Sequence, residues 1–145
     1  MAERTERALL NHLIEICRDA ERGFRTAAEQ VTTPELKALF VRLADQRHAF
    51  AEALLPHAQR LGGEHVADGT SAAALHRAWM QVKARLASNP EQAVLSEAAR
   101  GEHYAVAAYE DAVHDLLPPD ARDLIEQQEK DVRAAAERIL SARGT

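Results

Sequence analysis

The sequence predicts an all-α fold, a single domain built as a helical bundle, and three observations carry that prediction. Apolar residues make up 46% of the 145 residues but aromatic ones only 4%, with Ala and Leu dominant. Ala, Leu, Glu, Arg and Gln are good helix formers, whereas strands draw on the β-branched and aromatic clusters that are scarce here. Breakers divide the chain at a few points and leave long uninterrupted segments between them. Within those segments apolar residues recur at helical spacing. A chain of this length buries a proper core.

The first helix is predicted over 3–31, with Leu13, Cys17, Ala20, Phe24, Ala27 and Val31 on its apolar arc. In "TTPEL" Thr33 stands at an N-cap and Pro34 at the first helical position, so the second helix starts at 34 and runs to 61. Its arc carries Leu36, Phe40, Leu43, Arg47, Phe50, Leu54 and Leu61. Pro56 is expected to kink or shorten it, and "RLGG" stops it at Gly62 and Gly63. A crossover helix is predicted over 71–87, with Leu75, Trp79, Val82 and Leu86 on one stripe. "SNPEQ" repeats the cap with Asn89 and Pro90 and opens a helix over 90–115, whose arc is Leu95, Ala98, Glu102, Ala105, Tyr109, Val113 and Leu116. "LPPDA" opens the last helix at Pro119, over 119–142, with Ala121, Leu124, Gln128, Val132, Ala135 and Ile139 inward.

A shift of 85 residues lays the chain on itself. Phe24 falls on Tyr109, Pro34 on Pro119, Glu35 on Asp120, Leu39 on Leu124 and Phe40 on Ile125. Two antiparallel hairpins with short turns follow, joined by a long crossover. The competing arrangement is a plain up-and-down array of five helices.

Two charged residues stand where apolar ones belong, Arg47 and Glu102. An unpaired buried charge is too costly to keep. The repeat sets Cys17 against Glu102 and Arg47 against Val132, so these four are expected in one layer. The expectation is a buried Arg47–Glu102 ion pair at mid-bundle, with Gln128 or Tyr109 adding hydrogen bonds. The alternative is that both side chains bend out to the surface, Arg47 along its stem.

Several function classes fit poorly. The net charge of −5 leaves no face basic enough to collect phosphates, so no nucleic-acid partner is expected. No apolar run approaches the ~18 residues of a membrane helix, and the start "MAERTERALLNHL" does not read as a signal peptide. No phosphate-binding Gly-rich loop occurs, and no Ser-His-Asp set assembles. Cys17 is the only cysteine, which excludes an intrachain disulfide and points to a reducing, cytoplasmic setting. Beside Arg47 its thiol would have a lowered pKa and serve as a redox sensor, although a small buried hydrophobe is the commoner role. Among the histidines, His103, Glu110 and His114 share a helical stripe off the core arc. That stripe offers a surface zinc site or a homodimer interface. Asp45-x-x-His48 also has ligand spacing but projects away from the core, and His57 reads as a half-buried packing residue. His12 and Glu15 lie on the polar side of the first helix.

Two hairpins, a long crossover and "GEHYAVAAY" together resemble the ferritin-like superfamily, in particular its rubrerythrin-like branch. The resemblance implies a ferritin-like four-helix bundle with an additional helix in the crossover. It also implies a di-iron centre, with a Glu from one helix of each hairpin and Glu-x-x-His from the other. Only Glu102 matches in type. The other positions fall on Cys17, on Arg47-x-x-Phe50 and on Val132-x-x-Ala135. Within the superfamily, "LIEICRDAERGFRTAAE", "PELKALFVRLADQRHAFAEAL" and "LHRAWMQVKARL" look like a small bacterial four-helix-bundle family of unknown function, often grouped with stress-related proteins. The expectation is thus a non-catalytic bundle without cofactor, its metal site replaced by the Arg47–Glu102 pair. The alternatives are an iron or zinc protein with a degenerate or relocated site, and a redox module working through Cys17. Ligand and partner are unknown from sequence.

Overall fold

The structure is a computed structural model, and it describes residues 2–61, 89–115 and 117–144. Four helices make up the described residues, with no strand among them: α1 (Ala2–Gln30), α2 (Pro34–Arg60), α3 (Pro90–Val113) and α4 (Pro119–Gly144). The crossover helix expected at 71–87, and Leu116, lie outside the described residues.

Each hairpin is held where the sequence places its breakers. Pro34, Pro90 and Pro119 each occupy the first position of a helix, where a missing N–H costs nothing. Asn89 caps α3 by accepting from the Gln92 N–H at 3.3 Å. The Lys37 ammonium reaches back to the Ala28 carbonyl in the last turn of α1, where a cation complements the helix dipole. Pro56 does not end α2, which continues to Arg60. The carbonyl that Pro56 leaves without an N–H partner belongs to Glu52, which is exposed, so water can take it.

α1 packs on α2 and α3 on α4, and between hairpins α1 packs on α3 and α2 on α4. The diagonal pairs α1/α4 and α2/α3 make no close backbone approach among the described residues. Two contacts fix the directions. At the upper end, which carries the α1–α2 turn, Glu91 from the start of α3 accepts from the N–H groups of Thr32 and Thr33 at 2.9 and 2.8 Å. At the lower end, Arg60 closing α2 meets Asp120 opening α4 at 3.0 Å. Every adjacent pair is therefore antiparallel, with α2 ending at the lower end and α3 starting at the upper.

The core divides into two halves along the bundle. The upper half gathers around Phe24 and Phe40, whose rings stack 6.1 Å apart. The lower half gathers around Leu10, Leu13, Ile14, Leu54 and Ile125, with Tyr109 among them. The buried face of each helix is wider than a single arc predicts. Leu10, Ile14, Ala51 and Ile125 are fully buried, while Ala20, Leu36, Phe50, Leu61, Val113 and Leu124 are only half-buried. The reason is that each helix touches two neighbours, so two flanks are covered rather than one stripe.

Candidate functional site: a polar layer at mid-bundle

Three polar side chains are fully buried: Arg47 and Glu102 between the two core halves, and Gln128 beside Tyr109 in the lower half. Arg47 comes from the middle of α2 and Glu102 from the middle of α3, helices that face each other across the bundle diagonal. Both guanidinium nitrogens Nη1 and Nη2 donate to the Glu102 carboxylate, one to each oxygen. Both side chains are 1% exposed. The two-pronged geometry matches a planar guanidinium to a planar carboxylate, which is why Arg rather than Lys suits this place. The remaining Nε–H donates to Gln46 Oε1 at 3.2 Å. The Arg47 guanidinium also lies over the Phe24 ring, 5.3 Å from its centroid, so its apolar face meets a π-face. Burial favours the neutral form of Arg47, but the charge and hydrogen bonds of Glu102 outweigh it, and its pKa is raised.

Gln128 and Tyr109 do not bond to this pair, contrary to the expectation from sequence. They form a separate chain. The Tyr109 hydroxyl donates to Gln128 Oε1 at 2.7 Å, and Gln128 Nε2 donates to the Phe50 carbonyl at 3.3 Å. Cys17 Sγ lies 3.2 Å from the Tyr109 oxygen. Because the single phenolic proton is given to Gln128, the thiol is the donor to Tyr109. The chain therefore runs from α1 through α3 and α4 to the backbone of α2, touching all four helices. Glu102 bonds to Arg47 through both oxygens, and Tyr109 and Gln128 satisfy each other.

Cys17 does sit near Arg47, yet its pKa moves the other way from that of an activated thiol. Burial raises it from 9.0 to about 11, against smaller lowering effects of the Tyr109 hydrogen bond and the Arg47 charge. With the side chain fully buried, a neutral S–H donor is the state the geometry uses. Tyr109 is likewise pushed well above 10 by burial.

The surface histidines do not converge. His103, Glu110 and His114 are all exposed, and Glu110 is taken by Arg133 at 2.9 Å. Asp45 pairs with Arg25 at 3.3 Å and His48 with Glu21 at 3.2 Å, both on the outer face of the first hairpin. His57 is half-buried near Arg60 and Asp120. Among the described residues no group of three or more His, Cys, Asp or Glu side chains is arranged to hold a metal ion. None of the described helices is long and apolar enough to cross a membrane.

Sequence reasoning missed the Glu91 clamp at the upper end. One carboxylate there accepts from two backbone N–H groups and from the Thr32 and Thr33 hydroxyls, the latter at 3.3 and 2.6 Å. The hydrogen bonds from the Thr33 hydroxyl and N–H, joined by those of Thr32, pull the Glu91 pKa from 4.5 to about 2. The sequence signal was present in "TTPEL" and "SNPEQ", but nothing local says that the acid of one cap serves the other.

An all-α four-helix bundle with an ion pair and a hydrogen-bond chain buried at its centre is the class these features define. The chain belongs to a family described as a domain of unknown function, DUF2383, whose sequence pattern matches residues 6–115. The match takes in α1, α2 and α3 and ends before α4. No curated protein matches the chain.

Proposed function

We propose that this chain is a non-catalytic bundle of the ferritin-like superfamily in which internal charge pairing has replaced a metal centre. The single observation behind this reading is the Arg47 guanidinium, which takes both oxygens of Glu102 in the middle of the core. By resemblance, Glu102 stands at a di-iron ligand position. A metal there would need further carboxylates and imidazoles. The residues do not fit: the matching positions are Cys17, Arg47, Phe50, Val132 and Ala135, and the one carboxylate already faces a cation. The role we infer is structural or interactive, in a cytoplasmic, stress-associated setting.

Metal analysis of protein purified without chelator tests this reading, followed by aerobic addition of ferrous iron. The expected results are well under one iron or zinc per chain and ferrous oxidation no faster than in buffer. About two irons per chain would overturn the reading in favour of a degenerate but working centre. The redox reading is tested separately through Cys17. A buried thiol that donates a hydrogen bond should be labelled by a thiol reagent only as fast as the protein unfolds. Rapid labelling of the native protein would support a redox module instead.

A further inference from the structure

The outer face of the second hairpin carries a groove that the mid-bundle layer does not use. Ser96, Ala99, Arg100, His103 and Val106 of α3 line one wall, at helical spacing, and Arg133, Ala136, Glu137, Leu140 and Arg143 of α4 line the other. Each wall covers ten residue steps, or roughly 15 Å of helix. The space between them is about 540 Å³. Its floor is apolar, formed by Ala99, Val106, Ala136 and Leu140, and Leu140 is 46% exposed. A large aliphatic side chain left open beside other apolar groups marks a contact surface more than a solvated one.

The rim sets the occupant. Arg100, Arg133 and Arg143 line the groove with His103, against Glu137 alone on the acidic side. Arg100 and Arg133 also hold Glu97, Glu110 and Glu129. Those carboxylates are not among the groove-lining residues, and each guanidinium has five N–H groups, enough for a second acceptor. The corresponding space on the first hairpin, lined by Arg18, Glu21, Arg22, Arg25 and His48, has no apolar lining residue.

We propose that the α3–α4 groove docks a short amphipathic helix of a protein partner, about three turns long, whose apolar stripe is flanked by acidic side chains. Two antiparallel helices leave a furrow that receives the i, i+3/i+4, i+7 ridge of a third, and the arginines select its charge. This inference does not depend on the proposed loss of the metal centre.

The test uses the full chain and fluorescent synthetic helical peptides of about 14 residues. Leucines stand at i, i+3, i+7 and i+10, with glutamates flanking the stripe in one peptide and lysines in the other. Fluorescence anisotropy is expected to show the glutamate peptide binding roughly tenfold or more tightly than the lysine peptide at low salt. Leu140→Asp should abolish binding while helicity and melting temperature stay unchanged, since the side chain is at the surface. Arg100→Glu with Arg143→Glu should reverse the peptide preference. Failure of the glutamate peptide to bind, equal affinity for both, or binding unaffected by these variants would overturn the proposal. So would a dimer in sedimentation that Leu140→Asp dissociates, because a second copy would then cover the groove.

Discussion

The two halves of the core are related by the same 85-residue shift that relates the hairpins, yet they are built from different chemistry. In the upper half the shift-related positions hold Phe24 and Leu43; in the lower half they hold Tyr109 and Gln128. One half is hydrocarbon. The other has the same outline with a hydroxyl and an amide added, and these bond to each other, to Cys17 and to the Phe50 carbonyl. The central layer breaks the symmetry further. One diagonal is filled by Arg47 and Glu102, the other by Cys17 and Val132. A repeated backbone thus tolerates polar or apolar filling at equivalent places, provided that every buried polar group has a partner.

The largest effect is expected at the central diagonal. Glu102→Leu or Arg47→Met alone should lower unfolding stability by about 3–5 kcal/mol, because the remaining charge is buried without compensation. Urea unfolding followed by circular dichroism reads this directly. A loss under about 1 kcal/mol in either single variant would mean that the surviving charge escapes to solvent.

Next comes the lower half. Gln128→Leu leaves the Tyr109 hydroxyl only the weakly accepting Cys17 sulfur, 3.2 Å away, and should cost about 1–3 kcal/mol. Adding Tyr109→Phe makes the lower half resemble the upper and should recover most of that loss. If the double variant is as unstable as Gln128→Leu alone, the lower half depends on its hydrogen bonds in a way the upper half does not.

The two ends sharpen the comparison at smaller scale. Glu91→Ala at the upper end removes a carboxylate that accepts four hydrogen bonds, and should cost about 1–2 kcal/mol. Arg60→Ala at the lower end breaks an ion pair whose side chains are 59% and 58% exposed, and should change stability by less than about 0.5 kcal/mol. The Glu91 contribution also depends on pH. Its pKa is depressed in the folded state, so its stabilisation is present above about pH 4.5 and is lost as the pH falls towards about 2. Solvent screening limits this to about 1 kcal/mol. Thermal melts should show that fraction of the acid destabilisation missing in Glu91→Ala.

Much of the helical layout was legible because prolines and caps fall at its boundaries: Pro34, Pro90 and Pro119 each begin a helix. The two charges on apolar arcs were legible for the same reason, since period alone places Arg47 and Glu102 inward. Their hydrogen-bond neighbours were not. Period says that Tyr109 and Gln128 face the core, but not whether they reach the ion pair or each other, which depends on offsets of a few ångströms between helices. Nor could spacing give the Cys17 pKa. A nearby arginine suggested a lowered value, and only the depth of burial shows that desolvation prevails.

Arg47 and Glu102 act as one unit at the centre of the bundle. A double-mutant cycle in urea, comparing Arg47→Met, Glu102→Leu and the two together, measures that directly. The expected result is two strongly destabilised single variants and a double variant at least as stable as the better of them, within about 1 kcal/mol of the parent, because a hydrocarbon pair replaces a balanced ion pair. Losses that simply add in the double variant would contradict it.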